Sequence, residues 1–147
     1  MTERAVAELT DQRINILEAI RGAVDSVDII PDSALGPRDY TSIDYPYAQV
    51  LPESSDYQGG TDYDHLIRCN FIFEREREVT GDQDTYLKFM QAALEATKRS
   101  VVNCLDQECV QFAMPTTIED FAGEVEGSLL IMISVQLTVR SSVHFTE

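Results

Sequence analysis

The last part of the chain carries a period-two run too long for an ordinary strand. From Gly127 to Arg140, Leu129, Ile131, Ile133, Val135, Leu137 and Val139 alternate with Ser128, Ser134, Gln136, Thr138 and Arg140. Leu130 and Met132 make the first half of the second set apolar as well. Alternation puts the two sets on opposite faces of an extended strand. A run this long reaches ~45 Å, where a strand usually has about five or six residues. A strand of this length either outruns its own domain or pairs with something else.

A second run of the same kind lies at Tyr63 to Glu74. Tyr63, His65, Ile67, Cys69, Phe71 and Phe73 share one face, and Asp64, Arg68, Asn70 and Glu74 the other, with Leu66 and Ile72 as exceptions. Shorter strands are expected at 47–51, which ends before Pro52, at Val110 to Met114, which ends before Pro115, and at Thr116 to Ala122 before Gly123. Two segments follow the helical period instead. Leu9, Arg13, Ile16, Leu17, Ile20, Val24 and Val27 line one face of a helix over about Thr10 to Ser26, which residues 2–8 can extend. Tyr86, Phe89, Met90, Ala93, Leu94, Thr97 and Val101 line the buried side of a second helix, opened by a capping box at Thr80 and Gln83 or by Asp82. The order helix, strands, helix, strands implies an α+β fold: two amphipathic helices packed on one face of a mostly antiparallel β-sheet with long strands. The 147 residues fit one domain, 1–147, with no repeat and no linker.

Between these elements the chain reads as connectors. Pro31 to Asp44 is rich in turn residues. Glu53 to Asp62 is polar and holds no apolar residue except Tyr57, so it is expected as a mobile loop, with Tyr57 as its anchor on a neighbour. Glu74-Arg75-Glu76-Arg77-Glu78 alternates in sign, as a solvated strand end or as an inter-subunit salt-bridge patch.

Charge narrows the function classes. Asp and Glu total 26 against 11 Lys and Arg, a net charge of −15. Such a field does not hold nucleic-acid phosphates, whose binding comes from counterion release by cations. Lys88 and Lys98 are the only lysines. Acid-rich, lysine-poor composition is the pattern of halophilic archaeal proteins, whose self-repulsion salt screens. A surface that repels DNA or meets a basic partner has the same composition. No apolar stretch is long enough for a membrane span, which needs roughly 18 residues. Met1-Thr2-Glu3-Arg4 does not open a signal peptide.

No catalytic constellation stands out. Gly59-Gly60 lacks the residues of a phosphate loop, and no G-x-S-x-G occurs. Cys69, Cys104 and Cys109 have no zinc spacing and are expected as reduced core residues. His65 is expected as a partly buried, hydrogen-bonded histidine. No catalytic, cofactor or metal residues are assigned, and the chain is read as not an enzyme.

The whole chain resembles the tail terminator (tail completion) proteins of long-tailed viruses of bacteria and archaea. The resemblance covers residues 10–145. It rests on the helix with Ile16-Leu17-Glu18-Ala19-Ile20, the strand Tyr45-Pro46-Tyr47-Ala48-Gln49-Val50-Leu51-Pro52 followed by a polar segment, and the aromatic strand around Phe71-Ile72-Phe73. The helix Tyr86 to Ser100 and the long last strand complete it. It implies a virion structural protein of the tail or neck, assembled in the host cytoplasm. Such a protein forms a hexameric ring on the tail tube protein, stops tube growth and offers a face to the head connector or stopper protein. Genome DNA passes through the lumen without specific binding, and no membrane is involved. With the composition, the resemblance implies a virus of a halophilic archaeon. Related folds serve head completion, so a stopper or other neck adaptor is the alternative, and a cellular α+β enzyme a third reading. Tyr57, Arg75, Arg77 and Arg140 are the expected interaction residues.

Overall fold

The computed structural model describes residues 3–27, 33–35, 47–75, 83–125 and 128–143. Helix α1 spans Glu3–Asp25 and α2 spans Gln83–Leu105. The strands are β1 (Ser33–Leu35), β2 (Tyr47–Gly59), β3 (Asp62–Arg75), β4 (Val110–Val125) and β5 (Ser128–Ser142). They form one sheet in the order β1-β2-β3-β5-β4. The pairs β2–β3, β3–β5 and β5–β4 are antiparallel, and only the three-residue β1 runs parallel to its neighbour, pairing Ala34 with Gln49. The fold is α+β, with both helices on one face.

The long strands are real, and there are two fewer breaks than the sequence suggests. The segment Glu53 to Asp62 is a hairpin rather than a mobile loop: Ser55 pairs with His65, Tyr57 with Tyr63 and Gly59 with Asp62. Pro52 does not end β2, because β1 pairs only with Ala48 to Val50. Beyond Val50 no described strand needs an N–H on that side, and a bulge follows between Pro52 and Ser54. The turn itself uses Gly59 (φ 113°) and Gly60 (φ 60°). Side chains disfavour that region, and glycine does not. Pro115 likewise lies inside β4 instead of separating two strands. As an edge strand, β4 tolerates the missing donor, and Thr116 forms a bulge there. β1 falls inside what the sequence reads as a connector. The capping residues Thr80 and Asp82 lie outside the described residues, as does Arg77.

The main core sits between the helices and the inner sheet face. Ile16, Ile20 and Val24 of α1 and Ala92, Ala93 and Ala96 of α2 pack on Ile67, Cys69, Phe71 and Phe73 of β3 and on Ile133 to Val139 of β5. Phe89 stacks on Phe73 with ring centroids 4.2 Å apart. The small residues on α2 let polar side chains tie the helices together. Asn103 donates to the Ala19 carbonyl (3.1 Å) and Gln107 to that of Asn15 (3.0 Å). Arg99, held by Glu95, donates to the Ser26 carbonyl at 2.8 Å. Ser26 stands just past the end of α1, where helix carbonyls lack partners.

Both helical faces depart from expectation in one respect. The polar residue on the buried side of α1 is Gln12, and Arg13 is exposed. On α2, Leu94 is 43% exposed, because the buried side is centred on Ala92, Ala93, Ala96, Ser100 and Cys104 instead. The sheet's outer face has a smaller apolar cluster of Tyr47, Ile72 and Leu130, with Met132 against it.

Candidate interaction surface

Each expected interaction residue that the structure describes has a definite place, and they do not converge. Tyr57 stands near the tip of the β2–β3 hairpin, 59% exposed. Its ring lies 5.4 Å from that of Tyr63, and its hydroxyl donates to the Gly60 carbonyl at 3.0 Å. Arg140 projects from the outer face of β5. It donates to both oxygens of Asp64 (2.7 and 3.0 Å) and lies 4.8 Å over the Phe112 ring. That hydrogen-bonded pairing with Asp64 raises the already high pKa of Arg140, so the guanidinium is permanently charged. Arg75 closes β3 opposite Leu129. A similar arrangement two positions along the outer face joins Arg68 to Glu53, to Ser134 (2.9 Å), and through Glu53 to Gln136 (3.2 Å).

His65 is fully buried, 2% exposed, where the sequence implies partial burial, and its surroundings define its proton. Gln12 Nε2 donates to the Ser142 carbonyl (2.8 Å), which can only accept, so Gln12 Oε1 faces Ser141. Ser141 gives its hydroxyl proton to that oxygen (2.8 Å). His65 Nε2, 2.7 Å from Ser141 Oγ, must therefore carry a proton and donate. Nδ1 is left to accept from Ser55 Oγ at 2.8 Å. The chain of donors runs in one direction and holds a neutral imidazole. Burial, with Arg13 adding and Asp64 opposing, pushes the His65 pKa down to about 4.

Ser55 and His65 also line a small open cleft beside Arg13, Ile16, Leu17 and Pro52. A serine hydroxyl on an imidazole nitrogen has the form of a nucleophile and base. Here Nε2 meets a neutral serine rather than a carboxylate, and the depressed pKa makes the ring a weak base. The arrangement fixes a tautomer and joins α1 to the sheet. Among the described residues no group of three His, Cys, Asp or Glu could hold a metal ion. Cys69 and Cys104 are buried free thiols pushed up to about 12 by burial, and Cys109 is half-buried and shifted up for the same reason. No described helix is long and apolar enough to cross a membrane.

The largest exposed apolar features are ones the sequence reading passed over. On α2, Leu87, Leu94, Val102 and Leu105 are each close to half exposed. Leu87, Leu94 and Leu105 fall within about 20° of one another at ~100° per residue, and Val102 lies about 60° away. The side of the helix away from the core thus carries apolar residues too, interleaved with the exposed Gln91 and Lys98, a pattern visible on a helical wheel once the buried stripe is centred correctly. On β4, Met114, Ile118 and Phe121 are about half exposed. Ile118 shares the inner-face row with Val135, and Phe121 the outer-face row with Met132, so both faces of this strand offer apolar surface.

No protein-family model and no curated protein sequence matches this chain.

Proposed function

We propose that this chain is a ring-forming structural protein of a long-tailed virus, a tail terminator that caps the tail tube and joins it to the head connector. The observation that carries the reading is the outer half of β4. From Thr116 to Gly123 nearly every residue is exposed, while Ile133 and Val135 of its partner β5 are buried. A domain whose core is complete has no use for a sixteen-residue edge strand with Ile118 and Phe121 in solvent, unless a neighbour covers it. The resemblance of residues 10–145 to tail terminators supplies the kind of neighbour. The net charge of −15 supports the same reading, because an acidic lumen lets DNA slide without holding it. It equally suits a host of high internal salt.

The test is polymerisation of purified tail tube subunits with and without this protein, viewed by negative-stain microscopy. A terminator gives tubes of limited length with a ring on one end. Tubes of unchanged length with no bound protein overturn the reading. A ring that binds the portal complex and ignores the tube makes the protein a stopper instead.

A further inference from the structure

One half of the sheet's outer face is buried, with no described element over it. The register puts Tyr47, Ile72, Met132 and Phe121 in one row across that face, from β2 to β4. Exposure along the row rises from 1% at Tyr47 and Ile72, through half-buried Met132, to 46% at Phe121. The next row repeats the pattern: Gln49, Asn70 and Ser134 are buried and Glu119 is exposed. A bare sheet face leaves a large side chain as open as Phe121. Something therefore covers the β2–β3 half of this face and stops before β4. Both helices pack on the other face.

Topology identifies the cover. β1 and β2 run parallel and are joined by residues 36–46. β3 and β4 also run parallel to each other, opposite to β1 and β2, and are joined through α2. Both connections advance across the sheet in the same direction. Parallel crossovers are almost always right-handed. Two that advance the same way from oppositely directed strands share a hand only by crossing opposite faces. Helix α2 crosses the inner face, which leaves the outer face to residues 36–46. Length agrees. Leu35 lies beside Val50, so the chain needs to return only ~10 Å to reach Tyr47. Eleven residues reach up to ~36 Å, and these include Tyr40, Ile43 and Tyr45. Residues 76–82 instead lead from β3 to α2 and offer Val79 alone as an apolar side chain.

We infer that residues 36–46 are seated on the outer face, over Tyr47, Gln49, Asn70 and Ile72. Backbone N–H groups from such a segment suit Asn70 Oδ1, which is buried and has no hydrogen-bond partner among the described residues. The inference goes beyond the proposed function and narrows it. The chain fills this half of the face itself, so a partner finds the outer face open only toward Phe121 and the β4 edge.

Thiol labelling tests this. Ile72→Cys and Phe121→Cys stand in the same row, and each variant is treated with a maleimide, with mass spectrometry locating the label. In the full chain the thiol at position 72 should react about tenfold more slowly than that at position 121. With residues 37–45 replaced by a Gly/Ser segment of equal length, the two rates should come within about threefold of each other. Cys69, buried on the inner face, stays unlabelled while the fold holds. Should the replacement expose Cys69 as well, Tyr40→Ser, Ile43→Ser and Tyr45→Ser together take its place and are read the same way. Equal rates in the full chain overturn the inference. So does protection at position 72 that survives the replacement, or protection that is lost on dilution, which would make a second copy the cover.

Discussion

His65 makes stability depend on pH in a way that one substitution isolates. In the folded chain its pKa is about 4, against 6.5 for the free side chain. The unfolded chain therefore takes up this proton first as pH falls. The contribution is fully present above about pH 6.5 and is lost progressively as pH drops toward 4. Linkage over that interval gives a loss of about 2 kcal/mol by pH 5 and about 3 kcal/mol below pH 4. Protonation must place a second N–H at Nδ1, against Ser55, whose hydroxyl now donates there. His65→Leu keeps the volume and removes the titration. Ser141 keeps its bond to Gln12. At pH 7.5 the variant should therefore lose only about 1 kcal/mol, for the missing hydrogen bonds. Near pH 5 it should be the more stable of the two. Urea denaturation of both proteins from pH 7.5 to 4.5 reads the difference, and the many carboxylates cancel between them. A gap between wild type and variant that does not change with pH would refute the reasoning.

Other outcomes follow from the packing. Phe71→Ala removes a fully buried ring from the centre of β3 and should cost about 3–5 kcal/mol, read from the same urea curves. Gly60 has a φ of 60°. Gly60→Ala places a side chain in that left-handed region and should cost about 1 kcal/mol. Gly22→Ala, on the exposed side of α1 with no atom in its way, should instead stabilise by up to ~1 kcal/mol. An alkylating reagent at pH 8 should label Cys109 well before Cys69 and Cys104, whose burial keeps them protonated, and mass spectrometry gives the order. Raising salt from 0.1 to about 2 M should raise the melting temperature, since the self-repulsion reaches less far as the Debye length falls from ~10 to ~3 Å or below.

The long strands were legible because alternation over a dozen residues has no helical counterpart, and β3 and β5 keep the faces their sequences assign. Prolines misled at β2 and β4. Pro52 and Pro115 would end a central strand, but each stands where no described neighbour needs its N–H. The hairpin at Ser55 to Gly59 was hidden for a different reason. Its residues are polar because the strand tip stands in solvent, and its pairing is carried by the backbone. The stripe on α2 was mis-centred because Phe89, Met90 and Leu94 outweigh three alanines in any reading by size, yet Ala92, Ala93 and Ala96 face the core. That error also hid the exposed Leu87, Leu94 and Leu105. His65 was legible as a structural histidine, but its partner Ser141 and the Gln12 that fixes the Ser141 hydroxyl stand near opposite ends of the chain, and only folding joins them.

The proposed function requires that this protein close into a ring. Mass photometry of the wild-type protein in molar salt, repeated with tail tube subunits present, tests it most directly. A ring-former gives a species of about six times the 16.5 kDa of one chain, alone or on the end of a tube. A single species at 16.5 kDa under both conditions would contradict it.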